Sequence, residues 1–338
     1  MILEPKSEIV IGSFKFRGVT DVEIRNSIHS YINTAKIIIP ATCTIKKKGQ
    51  GATGKLLNTG EQFKDGDAVT ISLYVNGKGG QEFKGFVSRR GEDVPLVIEC
   101  EGYSYLMRRA NNVNKLWKQA KVSTILKDAM GSLPITVKVD SVADIELTNI
   151  QAKNASAAEV LDLVIKECKG ALNAFFIEPD VLWVGMAYLP QGDGVKDSFS
   201  SPEVKYRIGY NVQRDNSLKQ REPYNIEVVV LTKKTKRERG APSPDLTANV
   251  IKWTSNHLGA DGLDKLKQAL VRKKSYTGYE GSIHAFFIPL CYPGYKAFVS
   301  NPVYKDRDGV YLVEGIVVRF GDRGYWRSVE IGPKIQTA

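Results

Sequence analysis

Alternation of apolar and polar positions dominates the first hundred residues. Val69, Ile71, Leu73 and Val75 occupy one side of a period-2 pattern and Thr70, Ser72 and Tyr74 the other, which predicts a half-buried strand. Gly66-Asp67 leads into it. Asn76-Gly77 follows, the dipeptide favoured in a type I′ hairpin turn, so Glu82–Val87 is expected as the return strand and Leu96–Glu101 as a third. Lys36–Ile39 reads as a further strand ended by Pro40, and 40–62 as a long polar loop. Short strands separated by turn signals predict a small antiparallel barrel or sandwich.

Between about 105 and 200 the period changes. Ser156-Ala157-Ala158-Glu159 is a capping box, in which serine and glutamate each satisfy an orphan backbone donor. Val160, Leu161, Val164, Ile165 and Cys168 then line one helical face, with Gly170 placed to end the helix. A shorter helix is predicted from Ser123 to Gly131, burying Ile125, Leu126 and Ala129. Leu172–Ile177 and Val181–Val184 read as a hairpin across Glu178-Pro179-Asp180.

Strands return at Val204–Ile208 and Ile226–Leu231. Leu263, Leu266 and Leu270 predict an amphipathic helix with Lys265, Lys267 and Arg272 outside. The chain closes with Val310–Phe320, a turn at Gly321–Gly324, and Tyr325–Ile331. The expected fold is therefore mainly β with an α+β insert: two small antiparallel barrels, 1–106 and 201–338, flanking an α+β segment at 107–200. The second barrel draws on strands at about 204–232 and 300–338, interrupted by a basic loop and a helix-containing segment at about 233–299.

Composition narrows the function classes. Of 338 residues, 42% are hydrophobic and 25% charged, the balance of a globular protein. No apolar run approaches the roughly 18 residues needed to span a bilayer, and the start shows no charged-then-apolar leader. Synthesis in the cytoplasm, without membrane insertion, is the expectation. Cys43, Cys100, Cys168 and Cys291 are too scattered for a zinc site or a disulfide framework, and Cys100 and Cys168 read as buried free thiols. The net charge of +11 raises nucleic acid, anionic lipid or an acidic protein face as partners without choosing among them.

Candidate chemistry is thin. Gly49-Gln50-Gly51-Ala52-Thr53-Gly54-Lys55 follows a phosphate-loop pattern up to its lysine, but Leu56 stands where magnesium needs Ser or Thr, and Gly60 and Gly66 interrupt any following helix. His284 and Cys291 lie close in sequence without a nucleophile signature. The Glu99/Glu101 and Asp306/Asp308 pairs sit near strands or turns, where solvated carboxylates are ordinary. Lys233, Lys234, Lys236, Arg237 and Arg239 form the strongest charge cluster, a candidate contact for nucleic acid or an acidic partner. No aromatic interleaves them, so a solvated hairpin tip is the plainer reading. No catalytic, cofactor or metal site is assigned, and the chain is not expected to be an enzyme.

The order of elements carries more than any motif. Gly66-Asp67-Ala68-Val69-Thr70-Ile71 leads through a hairpin to Phe83-Lys84-Gly85-Phe86-Val87, then to a strand ending in Glu101-Gly102-Tyr103-Ser104-Tyr105-Leu106. Val122–Leu126, Asn154–Leu161 and the Gly321–Trp326 turn follow. This series resembles the contractile phage-tail baseplate hubs: the late control protein D family, the amino-terminal region of VgrG spikes, and hubs of injection systems. The resemblance implies a structural homotrimer in which two barrels per subunit make a six-barrel ring. Such a ring joins the tail tube to a spike or needle carried by a separate polypeptide, in an assembled tail or tail-like particle. It leaves the 40–62 segment without a role. A basic β-barrel that binds nucleic acid is the alternative reading.

Overall fold

The computed structural model describes residues 4–16, 18–46, 52–92, 94–109, 113–188, 203–212, 217–231, 249–254, 258, 260–322 and 324–335. Its centre is a fourteen-stranded sheet built from both ends of the chain. The Ala68–Val75 strand pairs with Lys78–Arg90, and Val69, Ile71, Leu73 and Val75 are all buried while Thr70, Ser72 and Tyr74 are half-exposed. Asn76 and Gly77 both take positive φ, 50° and 75°, as the mirror-image turn requires. Gly85, inside the expected return strand, lies against the Leu96–Glu101 neighbour so closely that a Cβ would collide with the Glu101 carbonyl.

From one edge the sheet runs Phe14–Phe16, Pro5–Ile11, Ala68–Val75, Lys78–Arg90, Leu96–Glu101, Ser30–Ile39 and Asp21–Ser27. It then crosses to the far end of the chain: Asp21–Ser27 pairs antiparallel with Gly315–Gly321, and Gly309–Gly321 pairs with Gly324–Ile335. The class is mainly β with an α+β layer, as expected. This pairing joins the first and last parts of the chain in one sheet and satisfies edges that would otherwise stay open. Among the described residues, strand ladders close neither half into a ring. Single-residue bridges from Ala285 to Val212 and from Val212 to Ile208 bring the second half back towards its own Glu203–Arg207 strand.

Three elements depart from the sequence reading. The 40–62 segment is not simply a loop: Thr42–Lys46 and Ala52–Asn58 form an antiparallel hairpin. The 233–299 segment contributes Gly278–Glu280, Ser282–Phe286 and Lys296–Ser300 to the sheet. Conversely, Ile226–Leu231 lies outside that sheet, paired parallel with Asn249–Thr254. Local pattern identifies a strand, whereas its partner is set by packing between distant segments.

Four helices, α1 (Ser104–Arg109), α2 (Val122–Met130), α3 (Ala157–Glu167) and α4 (Ala260–Lys274), belong to a second layer. Helix α2 ends on Gly131 at φ 51°, whose N–H donates to the Lys127 carbonyl. The α3 capping box is complete: Ser156 Oγ accepts from the Glu159 N–H and the Glu159 carboxylate accepts from the Ser156 N–H. Its far end uses two left-handed residues, Lys169 and Gly170, where the sequence pointed to Gly170 alone. Helix α4 buries Leu266 and Leu270 and exposes Lys265, with Lys267 and Arg272 half-buried.

Two main cores follow. One lies within the sheet and mixes Ile9, Ile37, Ile71 and Ile98 with Tyr206, Ile283, Val313 and Val329 from the other chain end. The second joins Ile125 and Leu126 of α2, Val160, Leu161 and Val164 of α3, and Leu266 and Leu270 of α4. Each fully buried aliphatic side chain contributes about 1.5–3 kcal/mol. No helix among the described residues is long and apolar enough to cross a membrane.

Candidate functional site

A buried ion pair that sequence reasoning missed joins two strands distant in sequence. Arg327 Nη2 lies 2.6 Å from Glu82 Oε1, and both side chains are fully shielded. Tyr325 donates its hydroxyl to the same carboxylate oxygen at 2.6 Å, and Arg327 Nη1 donates to the Cys291 carbonyl at 3.0 Å. Burial opposes the charge on Arg327, yet the neighbouring Glu82 carboxylate holds its pKa above the ordinary arginine value. The pair joins the Lys78–Arg90 strand to Gly324–Ile335, fastening the two chain ends from within.

A second polar cluster fastens the helical layer to the sheet. Glu314 accepts from the Tyr188 hydroxyl at 2.7 Å and lies 3.4 Å from His29 Nε2. Asn173 Nδ2 donates to the Ile28 carbonyl at 3.1 Å, and Tyr31 donates to Asp162 at 3.1 Å. Ile28, Phe175, Trp183, Tyr188 and Leu312 form a small third core under these bonds. Burial and the Glu314 charge hold the Tyr188 phenol far above its ordinary value. Around the cluster lies a cleft of about 440 Å³ that also meets Arg221, Lys273 and Tyr276. Two of its cations are committed: Arg221 stacks over Tyr276 at 4.2 Å and donates to the Lys274 carbonyl, while Lys273 donates to the Gly170 carbonyl.

Much of the candidate chemistry resolves into structural contacts. A β-strand, Ala52–Asn58, stands where a phosphate loop would need a helix, and 49–51 lie outside the described residues. Cys291 is buried, with its thiol pushed up to about 11 by desolvation, and His284 meets the Trp326 ring edge-on at 6.0 Å. Cys100 and Cys168 are buried free thiols, as expected, each pushed up to about 12 by burial. Glu101 is buried and accepts from Ser104 at 2.8 Å while pairing with Arg108. Asp308 accepts from the Asn301 N–H. The basic cluster Lys233, Lys234, Lys236, Arg237 and Arg239 lies outside the described residues.

What the surface offers is contact area. Tyr210, Val303 and Tyr304, 79%, 74% and 50% exposed, border an open groove of about 710 Å³ with Arg207 and Arg307. Arg307 sits over the Tyr304 ring at 4.5 Å. Tyrosine and arginine are the residues enriched at protein–protein interfaces. The nearby Glu203–Arg207 edge is blocked against added strands: the Asn211 side chain donates to the Lys205 carbonyl and accepts from the Arg207 N–H.

No family model and no curated protein matches the sequence. Solved structures do match in fold. A tail protein from Neisseria meningitidis MC58 is 14% identical with a TM-score of 0.63, over 97% of this chain and 96% of that one. The 43 kDa tail protein of prophage MuSo2 from Shewanella oneidensis is 14% identical at 0.61, over 98% of both chains. The E. coli c3393 protein, a type VI secretion component with structural similarity to the T4 tail proteins gp27 and gp5, is 11% identical at 0.58. That match covers 98% of this chain and 79% of that one. The fold of this chain is thus the one found in phage-tail and type VI secretion proteins, in keeping with the resemblance to baseplate hubs that its element order carries.

Proposed function

We propose that the chain is a structural, non-enzymatic hub subunit of a contractile tail or tail-like injection machine. In this reading three copies form a ring that receives the tail tube on one side and a spike on the other. The observation that carries the proposal is the fold likeness to tail proteins, which runs through 97% of the chain and not through one module. The interior agrees with a scaffold: the Glu82–Arg327 pair and the Glu314 cluster tie sheet and helical layer together, as a subunit transmitting force would need. Cys291, His284, Glu101 and Asp308 are engaged in packing and hydrogen bonds, which supports a role without turnover. After synthesis in the cytoplasm the chain would act within the assembled particle.

Light scattering during size exclusion tests the proposal directly. A mass near three times 37.5 kDa is expected, followed by co-elution with a spike protein. A chain that stays monomeric at high concentration, and stays so with tube and spike proteins present, would overturn it.

A further inference from the structure

A cavity of about 250 Å³ is walled by the first strands of the sheet, by residues 176–179 and by residues 292–295. Three side-chain oxygens of its lining residues are buried and accept from no donor among the described residues: Asn26 Oδ1, Asn33 Oδ1 and Glu82 Oε2. Glu82 is fully shielded, and its other oxygen is already held by Arg327 and Tyr325. Buried polar atoms in folded proteins are paired almost without exception. Three unpaired acceptors around one cavity therefore point to a donor that enters it.

Breaks in the strand ladders bring these residues there. Gln81 and Phe83 pair with the consecutive residues Ser72 and Ile71, which leaves Glu82 as the extra residue of a bulge. A bulge re-aims a side chain that the ladder would otherwise direct. Asn26 and Asn33 lie where the pairing of Asp21–Ser27 with Ser30–Ile39 slips, between the Arg25–Thr34 and Ser27–Ser30 pairs. Gly102 leaves room for the Asn33 amide, since a Cβ at that position would collide with its oxygen.

The lining selects the donor. All three unpaired atoms are acceptors and one belongs to a carboxylate, so an anion is the wrong complement. Tyr292 and Tyr295 wall the cavity with ring centroids 5.6 Å apart, and Tyr292 is fixed by its hydroxyl, which donates to the Gln81 carbonyl at 2.7 Å. Aromatic faces attract cations. Lys84, the one cation in the lining, is exposed, with its Nζ 5.9 Å from the Tyr103 ring. The space far exceeds the roughly 30 Å³ of a water. A hard metal ion asks for about six oxygens or more, and among the described residues no group of three His, Cys, Asp or Glu could hold one.

We propose that this cavity binds an organic cation bearing N–H donors, a guanidinium or primary ammonium head. The inference concerns a ligand and not an assembly, so it holds for a monomer as it does for a trimer.

Calorimetric titration of the full chain tests it. The probes are ethylguanidinium and butylammonium chloride, a capped Gly-Arg-Gly peptide, neutral ethylurea, and potassium and calcium chloride. At least one organic cation is expected to bind, with ethylurea at least about tenfold weaker. Uptake of the peptide as well as the salt would assign the head to a side chain of another protein; uptake of the salt alone would assign it to a free small cation. Asn26→Leu, which removes one acceptor, should weaken binding at least about tenfold. Asn26→Asp, nearly isosteric and more negative, should tighten it several-fold, a gain that an asparagine with a purely structural role would not produce. Should Asn26→Leu fail to fold, Asn26→Asp decides. The proposal is overturned if no organic cation binds, if ethylurea or a metal ion binds as tightly, or if Asn26→Asp leaves the affinity unchanged or weaker.

Discussion

In the sheet, the residues that secure one another are far apart in sequence: Glu82 and Arg327 are separated by 245 positions. In the helical layer they are close: Trp117 donates to Asp128 across 11 positions, and Ser156 and Glu159 cap α3 across three. The sheet core cannot form until both chain ends have met, and it carries a buried ion pair. Much of the layer's core comes from neighbouring segments and is almost wholly apolar, with α4 the distant exception. Contacts of long sequence separation form late because closing the loop costs entropy first. One molecule thus combines a late-closing sheet with a layer of more local contacts.

The largest effect should come from breaking the sheet's ion pair. Arg327→Met leaves the Glu82 carboxylate buried beside no cation, and about 3–5 kcal/mol of stability should be lost, read as a lower midpoint in urea. The double variant E82L/R327M should recover much of that loss, because two apolar groups carry no unpaired charge. If the double variant is no better than Arg327→Met, the site depends on shape and not on charge pairing.

A comparable cut in the helical layer should behave differently. Leu161→Ala removes a fully buried side chain from α3 and should cost about 2–4 kcal/mol. Hydrogen exchange should then accelerate in α2, α3 and their neighbouring strands while the sheet core keeps its protection. Uniform acceleration through the whole molecule would mean that the two regions open as one unit.

The seam between them should be weaker than either core. Tyr188→Phe removes the hydroxyl that donates to Glu314, leaving a carboxylate that is only 13% exposed short of one donor. About 1–2 kcal/mol should be lost, with exchange rising first around Ile28 and Phe175. An unchanged midpoint would shift the work of the seam to its apolar contacts.

How much of this was legible follows from where each interaction gets its information. The strand Ala68–Val75, its Asn76-Gly77 turn and the α3 capping box are local devices, and each appears in the structure as its residues announce it. The pairing of Asp21–Ser27 with Gly315–Gly321, which joins the two ends of the chain, has no local signature and is legible only in the structure. Ile226–Leu231 is a strand as its residues announce, and its parallel partner likewise has no local signature. Arg327 was legible in part. Tyr325, Val329 and Ile331 alternate inward, and the same period points Arg327 into the core, a misplaced charge that signals a hidden partner. The Thr42–Asn58 hairpin escaped notice because lysines, glycines and threonines read as loop.

The smallest expected effect sharpens the local side of the comparison. Ser156→Ala removes the hydroxyl that caps α3, and about 1 kcal/mol should be lost. The backbone and then the hydroxyl of Ser156 hold the Glu159 carboxyl below its ordinary value. A carboxyl depressed in the folded state adds stability above its unfolded pKa and surrenders it as pH falls through the folded one. In Ser156→Ala the Glu159 side-chain resonance should therefore titrate at higher pH than in the parent, nearer the usual carboxylate range. The backbone bond survives the substitution, so the shift should be partial. A Glu159 titration that does not move would mean the hydroxyl contributes nothing to the cap, and that the layer's helix start rests on backbone geometry and apolar packing alone.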